Sequence, residues 1–172
     1  MTDIPENKLT DVIINAAIEV HKTLGPGLRE EVYEAALALE LRLRGVECKR
    51  QVPVSVTYKG YDIGDQNHPK RIDILVEDSV VIECKALATA KDPLFRAQCL
   101  TYLKMTGKRI GLVLNFGRPT IKEGIERVIN ETKEEYRSRL ARESPASFRN
   151  VLREEDGLSE DEIMRITDSL RR

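Results

Sequence analysis

The chain lacks the features that mark several classes of protein. It has 3 cysteines and 2 histidines among 172 residues, with no Cys-x-x-Cys pair. A zinc site or a disulfide framework is therefore not expected, and reduced cysteines suit a cytoplasmic protein. No apolar run approaches the length of a membrane span, and the opening residues MTDIPENKLT lack the basic segment and apolar run of a secretory signal. We therefore expect a soluble, cytoplasmic protein without membrane association.

An excess of charge of either sign is also missing. Charged residues make up 33% of the chain, but the formal net charge is -1, so sequence-independent binding of nucleic acid by a basic tail is not expected. The charge is unevenly spread. Residues 91–122 carry seven lysines and arginines against one aspartate, and residues 41–60 carry five against one glutamate. Such local patches can bind phosphate groups, although solvated helix and strand faces explain them equally well.

The first part of the chain predicts two helices. Apolar spacing indicates a helix over residues 9–24, which Gly25-Pro26-Gly27 ends. No Gly-Lys-Ser/Thr follows these glycines, so a helix stop is favoured over a phosphate-binding loop. A second helix is expected over residues 28–44. Its predicted core-facing residues are Leu28, Val32, Ala35, Ala36, Leu39 and Leu43.

The middle of the chain predicts strands and a further helix. Alternating or continuous apolar stretches indicate strands over residues 46–58, 71–76, 80–86, 109–116 and 125–130. Residues 61–70 are loop-like, and Asp92-Pro93 begins a helix that runs to about Thr106. This order of elements predicts a mixed sheet flanked by helices.

The composition changes at residue 131. Residues 131–143 are almost all polar and predict a helix, Ser144-Pro145 breaks it, and Ser159 with Glu162 forms a capping box before a last helix. We therefore expect a domain over residues 1–130 and a C-terminal appendage of one or two helices over residues 131–172. The apolar stripe of the last helix (Ile163, Ile166 and Leu170) suits pairing with a partner, and docking on its own domain is the alternative.

Two acids and a lysine interrupt the hairpin RIDILVEDSVVIECKAL, residues 71–87. A three-residue turn over residues 77–79 would place Asp73 directly opposite Glu83, with Lys85 on the same face. The β-carbons of opposed residues lie about 5 Å apart, and two carboxylates at that distance repel by about 3 kcal/mol at an effective dielectric constant near 20. A shared proton, the lysine or a divalent cation would compensate. We favour the cation, since it also explains why the acids cluster. A charged face in water is the alternative.

Two helical features add to the hairpin. Glu30 and Tyr33 share one face of the second helix, so Glu30 offers a third carboxylate, unless it is an exposed first-turn glutamate that the helix dipole stabilises. Gln98 and Tyr102 lie four residues apart on the third helix and face the same way. Ordinary amphipathic patterning would also explain that pair.

These residues together resemble a known superfamily. Asp73, then Glu83-Cys84-Lys85 on the next strand, then Gln98-x-x-x-Tyr102 on the following helix is similar to the pattern of PD-(D/E)XK nucleases, with the QxxxY element of their RecB-type exonuclease branch. Residues 27–33, GLREEVY, match the motif GxxExxY. Over about residues 8–130 the sequence resembles the bacterial GxxExxY family of that superfamily.

The resemblance implies a fold and a set of site residues. The fold is α/β, with a restriction-endonuclease-like αβββαβ core, in which helices flank a mixed central sheet, plus an extra N-terminal helix and the C-terminal helical appendage. Asp73, Glu83 and Glu30 would be catalytic ligands of Mg²⁺ or Mn²⁺. Lys85 would be catalytic by orienting or polarising the attacking water, or by neutralising charge in the transition state.

The resemblance also implies substrate contacts and an activity. Gln98, Tyr102 and Tyr33 would position the substrate. The activity would be metal-dependent hydrolysis of phosphodiester bonds in nucleic acid, with DNA the expected substrate. The alternative is a non-catalytic module that keeps the nuclease fold and binds nucleic acid or another protein. The small size and near-neutral charge favour a homo-oligomer or a protein partner, for example through the C-terminal helices.

The sequence departs from the family pattern at three points. Ile72 stands where many members of the superfamily have proline, and the loop GDQNHPK over residues 64–70 is longer than the family leads us to expect. The approach to the site is therefore expected to differ. The four cysteines that bind an iron–sulfur cluster in some RecB-type relatives are missing, so no cluster is expected.

Overall fold

A computed structural model of the chain describes residues 6–65, 69–89, 92–154 and 157–169. The chain divides into two compact units, Met1–Asn130 and Glu131–Arg172. Residues 66–68 of the predicted loop and Leu170 of the predicted C-terminal stripe lie outside the described residues. In the described residues, no helix combines the length and the apolar character that crossing a membrane requires.

The first unit opens with two helices, α1 (Glu6–Leu24) and α2 (Glu30–Leu43). The predicted spacing of α1 is confirmed, since Leu9, Ile13, Ala16, Ala17 and Val20 are all buried. Gly25 and Gly27 have φ angles of 67° and 104°. Glycine adopts this left-handed region at no steric cost, which explains why α1 ends there.

The prediction of which face of α2 packs into the core is wrong. The buried residues of α2 are Tyr33, Glu34, Leu37, Ala38 and Leu41. Val32, Leu39 and Leu43 lie on the opposite side and are 43%, 52% and 74% exposed. The helix is apolar on both sides, so periodicity alone could not tell which side faces the sheet.

The described part of this unit also contains seven strands and one further α-helix. They are β1 (Cys48–Val54), β2 (Thr57–Tyr58), β3 (Tyr61–Asp62), β4 (Lys70–Val76), β5 (Val80–Lys85), α3 (Pro93–Thr106), β6 (Ile110–Asn115) and β7 (Ile125–Ile129). Five of the strands form one sheet in the order β1-β4-β5-β6-β7. Strands β5 and β6 run parallel and the other neighbours run antiparallel, which confirms the predicted mixed sheet.

Two boundaries differ from prediction. The strand expected over residues 46–58 ends at Val54, and Thr57 and Tyr58 pair instead with β3 in a separate two-stranded sheet. Lys59 and Gly60 connect that pair with φ angles of 50° and 83°, as a tight hairpin turn with two left-handed residues requires. A short 3-10 helix, Ile121–Gly124, precedes β7 and was not predicted.

Helices cover both faces of the five-stranded sheet. One core cluster joins α1 and α2 to the sheet residues Ile74, Val76, Ile82, Cys84, Leu112 and Leu114. A second cluster joins Cys99, Tyr102 and Leu103 of α3 to Leu75, Val81 and Val113. The sheet is thus buried on both sides at its parallel centre, as parallel strands require.

The alternation of β4 changes at Asp73. Parity along the strand predicts that Ile72 shares a face with Ile74, yet Ile72 packs in the α3 cluster with Leu75 and Val81. The backbone of the neighbouring strand β1 is also irregular at the position opposite Asp73. Gln51 has a φ of 52° and makes no ladder pair with Asp73, although Arg50 pairs with Ile74 and Val52 with Ile72.

The second unit contains helices α4 (Lys133–Glu143), α5 (Pro145–Glu154) and α6 (Glu160–Ser169) in its described residues. Its core is Leu140, Phe148, Leu152 and Ile163. The appendage thus has one helix more than predicted, because Pro145 begins a helix, where proline is tolerated, as well as ending α4. Since Ile163 is buried in this core, that part of the predicted stripe is used within the unit.

Candidate active site

The β4–β5 hairpin has the predicted register from Val76 to Ile74, but the predicted direct pairing of Asp73 with Glu83 is not part of the ladder. Val76 pairs with Val80 and Ile74 with Ile82, across a loop of three residues in which Ser79 N donates to Val76 O at 2.9 Å. The ladder between these strands ends at the Ile74 pair. At the next position the Asp73 side chain contacts the neighbouring strand, and its Oδ2 accepts a hydrogen bond from Cys84 N at 2.8 Å. The backbone of β5 therefore holds the Asp73 carboxylate.

Glu83 is the buried centre of the site. Its side chain is 2% exposed, and its Oε1 accepts hydrogen bonds from Lys85 Nζ at 2.7 Å and from Gln98 Nε2 at 2.6 Å. Its Oε2 is buried and has no hydrogen-bond partner among the described residues. A buried carboxylate oxygen without a partner is costly, so this atom marks a place where a ligand would be stabilising.

The charges in the site are unbalanced. Burial, and then the charge of Asp73, raise the pKa of Glu83 to about 7, although Lys85 acts against this. Burial also raises the pKa of Asp73. The pKa of Lys85 is raised as well, since its hydrogen bond to Glu83 and the nearby acids outweigh the effect of its burial. The site therefore holds a stable ammonium group beside two acids that lack enough positive charge.

Glu30 reaches the same region from α2. It lies in the first turn of this helix, and its Oε1 accepts a hydrogen bond from Ala86 N at 3.2 Å. Its charge acts on Glu83, Asp73 and Lys85. Glu30 is thus brought to the site and anchored to the residue that follows β5.

Helix α3 closes the other side. Gln98 contacts Glu83 as described, and Tyr102 is 5% exposed one turn later. Burial raises the pKa of the Tyr102 hydroxyl, and a hydrogen bond with Gln98 acts in the opposite direction. Phe95, on the same helix, lies 5.4 Å from the Lys85 ammonium, measured to the ring centroid. Helix α3 therefore contributes a hydrogen bond to Glu83 and an aromatic ring next to Lys85.

Tyr33 is not among the residues that the structure brings to the site. It is fully buried and stacks on Phe116 with ring centroids 4.6 Å apart. Its hydroxyl donates to Gly25 O at 2.6 Å and accepts from Leu28 N at 3.1 Å. These contacts close the loop between α1 and α2, so the observed contacts of Tyr33 serve the fold.

A buried polar group beside Asp73 was not predicted. Glu34 is 3% exposed, one helical turn after Glu30, and accepts hydrogen bonds from Arg50 Nε and Gln51 Nε2, both at 2.8 Å. Its charge also raises the pKa of Asp73. The four-residue spacing from Glu30 is the one signal in the sequence that could have indicated it.

Asn115 was also missed. It ends β6, is 3% exposed, and its amide nitrogen donates to Leu87 O at 3.0 Å and to Thr89 O at 2.9 Å. Its carbonyl oxygen accepts from Leu87 N at 3.0 Å. The side chain thereby fixes the segment that leaves the site after β5.

The donor set fits a hard cation held by few protein ligands. In the described ranges, no three His, Cys, Asp or Glu side chains lie close enough to form a complete metal cage. Mg²⁺ commonly uses one or two carboxylates and completes its octahedron with water and substrate phosphate oxygens. A bound cation would interact favourably with the unpartnered Glu83 Oε2 and with two acids whose pKa values are raised by burial and by their neighbours.

The basic patches noted in the sequence are partly neutralised, at no fewer than five of their twelve lysines and arginines. Five of their cations pair with acids at 2.7 to 3.1 Å: Arg44 with Glu40, Arg50 with Glu34, Arg96 with Glu126, Lys108 with Asp78, and Arg118 with Glu123. The raw count of lysines and arginines therefore overstates the positive charge available for phosphate groups.

The fold and the site define a nuclease-type domain, and comparison with known proteins agrees. A family model described as the PD-(D/E)XK nuclease superfamily matches residues 7–128. The chain therefore belongs to the PD-(D/E)XK nuclease superfamily, whose members are usually nucleases and generally use divalent metal ions. The predicted restriction-endonuclease-like fold is confirmed.

A solved structure is also similar to the chain. It is described as "Crystal structure of SSO0001", is 19% identical, and covers 77% of this chain and 71% of its own, with a TM-score of 0.40. No curated protein matches the chain.

Proposed function

We propose that this protein is a metal-dependent nuclease that hydrolyses phosphodiester bonds, with DNA as the substrate class. The carrying observation is the buried Glu83 carboxylate, with one oxygen unpartnered, beside Asp73 and Lys85. The GLREEVY segment, with Gln98 and Tyr102, supports the narrower assignment to the GxxExxY group with a QxxxY element.

Asp73 and Glu83 would hold Mg²⁺ or Mn²⁺, with Glu83 offering its free Oε2 and Glu30 a third carboxylate nearby. The bound cation would lower the pKa of water and polarise the phosphate. Lys85 is 12% exposed and lies beside Glu83, so its charge would stabilise the negative charge that develops on a phosphate bound there. Gln98 keeps Glu83 oriented, and Tyr102 supports Gln98 from the same helix.

The alternative is a module that binds nucleic acid or protein without turnover. The two functions predict different effects of substitutions at the site. Cleavage should depend on Asp73 and Lys85, whereas binding alone should be nearly indifferent to them.

The deciding experiment is cleavage of labelled single- and double-stranded DNA and RNA with Mg²⁺ or Mn²⁺, with EDTA as the blank. Lys85→Ala should lower the rate by about 10²–10³-fold or more, as removal of a single electrostatic stabiliser does elsewhere. Asp73→Ala should do the same while nucleic-acid binding persists. Lys104→Ala is the matched control, an exposed lysine on α3.

Activity that survives Lys85→Ala would come from a contaminant, and the proposal would have no support from that substrate. Absence of cleavage on every substrate, together with absence of Mn²⁺ binding by wild type, would rule out the metal-dependent enzyme. The non-catalytic module would then be the better description. A cytoplasmic location and a partner bound through the C-terminal helices stay predictions.

A further inference from the structure

Helix α2 carries a second apolar stripe on the side away from the sheet. Val32, Leu39 and Leu43 form it, with exposures of 43%, 52% and 74%, and Leu28 just before the helix is 41% exposed. Ala35 and Ala36 lie between them in the sequence and are half-buried. An exposed aliphatic row of this length on a soluble domain is typical of an interaction surface.

The outer side of α2, together with the two residues just before the helix, has a symmetric sequence about the junction between Ala35 and Ala36. Counting outward from that junction, Val32 corresponds to Leu39, Glu31 to Glu40, Arg29 to Arg42, and Leu28 to Leu43. A two-fold axis placed there would lay each apolar residue of one helix against its counterpart in an antiparallel second copy. An interface of this kind uses the same patch on both subunits, and self-complementarity is what it requires.

The charges beside the stripe satisfy the same symmetry. Glu31 and Arg42 are separated by about three turns at 3.6 residues per turn, so they flank the stripe on one side. A two-fold axis brings that flank of one helix next to the same flank of the other. Arg42 of the second copy then lies at the level of residue 29, within about 3 Å along the axis of Glu31. Each pairing places opposite charges together, and it occurs twice.

We propose that the outer stripe of α2 is a homodimer interface, in which α2 pairs antiparallel with α2 of a second copy. The apolar row and the Glu31–Arg42 pairs select an identical helix in this register over an unrelated partner. The inference goes beyond the nuclease proposal and does not depend on it.

The dimer should dissociate on dilution. Helix α2 has 14 residues and is therefore about 21 Å long. One helix of this length presents less surface than the roughly 800 Å² per partner of a standard interface, so dissociation at around micromolar concentration is expected.

The first test is sedimentation velocity of the full chain from about 1 to 300 μM. Wild type should pass from monomer to dimer over this range. Leu39→Glu, which sets a charge against Val32 of the second copy, should weaken association at least tenfold. Ile63→Glu is the matched control, since Ile63 is 60% exposed and lies outside α2, and it should associate as wild type does.

The second test addresses the register. Glu31→Arg alone and Arg42→Glu alone should each weaken association severalfold, because each places like charges together twice. The double variant E31R/R42E restores opposite charges and should associate like wild type. Both residues are charged surface positions, so circular dichroism of each variant should match wild type.

The third test is a symmetric cross-link. Residue 35 and its own copy lie on the same flank, about 1.5 Å apart along the axis, so Ala35→Cys should form a disulfide-linked dimer on mild oxidation. Leu43→Cys is more exposed, but its copies would be about 22 Å apart and should not link. Wild type, which has its own three cysteines, is the blank.

Several results would overturn the proposal. These are a monomer at every concentration, a dimer insensitive to Leu39→Glu, a double charge variant without rescue, or equal cross-linking of the two cysteine variants. A monomer that Leu39→Glu destabilises in thermal melting would show that the stripe is covered within one chain. That result also contradicts the dimer.

Discussion

Gln98 and Lys85 donate hydrogen bonds to the same oxygen of Glu83, at 2.6 and 2.7 Å. Two donors on Oε1 fix the plane of the carboxylate and leave Oε2 as the oxygen available to a ligand. Helix α3 and strand β5 together thus orient the Glu83 carboxylate.

Gln98→Ala should weaken metal binding without removing a ligand. Outer hydrogen-bond partners of metal ligands typically contribute 10–100-fold in metal affinity or activity, and calorimetric titration with Mn²⁺ should show a loss in that range. Thr101→Ala is the control on the same helix, since Thr101 bonds only the backbone of α3 in the contacts seen here. An unchanged Mn²⁺ affinity in Gln98→Ala would show that Gln98 does not orient the ligand.

The metal-free protein should become less stable as the pH rises from about 4.5 to about 7. The pKa of Glu83 is raised from 4.5 to about 7 in the folded state, so the folded state binds this proton more tightly than the unfolded state does. The stability that this provides is complete below the ordinary pKa and is lost as the pH passes the folded value. The raised pKa of Asp73 acts in the same direction.

Melting temperature measured in EDTA across this pH range is the check, and several degrees of decrease are expected. Glu83→Gln should flatten the profile, and saturating Mn²⁺ should raise the melting temperature most at the upper end. A flat profile for wild type in EDTA would mean that Glu83 is better solvated than its burial indicates.

Tyr33→Phe should cost stability and leave catalysis alone. The variant keeps the ring stacked on Phe116 but removes the hydroxyl that bonds Gly25 O and Leu28 N. Loss of these bonds should lower the free energy of unfolding by about 1–2 kcal/mol, as measured by urea denaturation. Tyr61→Phe, at a position 76% exposed, should change little. Weaker binding of nucleic acid by folded Tyr33→Phe would instead support the substrate-positioning role predicted from the sequence.

Gly111→Ala should lower the free energy of unfolding, because residue 111 packs tightly against α3. A β-carbon at this position would overlap Cys99 Sγ and approach Leu103 Cδ1 to 3.3 Å. Overpacking of this kind costs about 1–3 kcal/mol. Cys99→Ala removes the overlapping sulfur, so the double variant should be more stable than the sum of the single effects by at least about 0.5 kcal/mol. Strict additivity in denaturant unfolding would contradict the predicted contact.

The hairpin and the sheet were predictable because their signals are local. Two apolar strand segments with three residues between them indicate the Val76–Val80 register, although the alternation of β4 holds only from Ile74 to Val76. Asp92 before Pro93 likewise marks the start of α3, where the Asp92 side chain accepts a hydrogen bond from Leu94 N. Such features depend on neighbours in the chain.

The orientation of α2 was not predictable in this way. Val32, Leu39 and Leu43 form as regular an apolar row as Leu37 and Leu41, and the side that faces the sheet also carries the charged Glu34. Apolar spacing alone therefore indicated the wrong side. Arg50 and Gln51 of β1 donate hydrogen bonds to the buried Glu34 and offset part of its desolvation, and these contacts exist only in the folded chain.

Asn115 shows the same limit. Its amide binds Leu87 and Thr89, which are 28 and 26 residues away in sequence. The sequence near residue 115 does not indicate those partners, because the parallel pairing of β5 with β6 brings them into contact.

The N–H groups of Cys84 and Ala86, on either side of Lys85, donate to Asp73 and Glu30. Both amide protons therefore sense the ionisation of acids that belong to other elements of the fold. In a ¹⁵N-labelled sample, their chemical shifts should follow protonation and cation loading directly. The protein thus contains two built-in spectroscopic probes, which can be followed before any substrate is known.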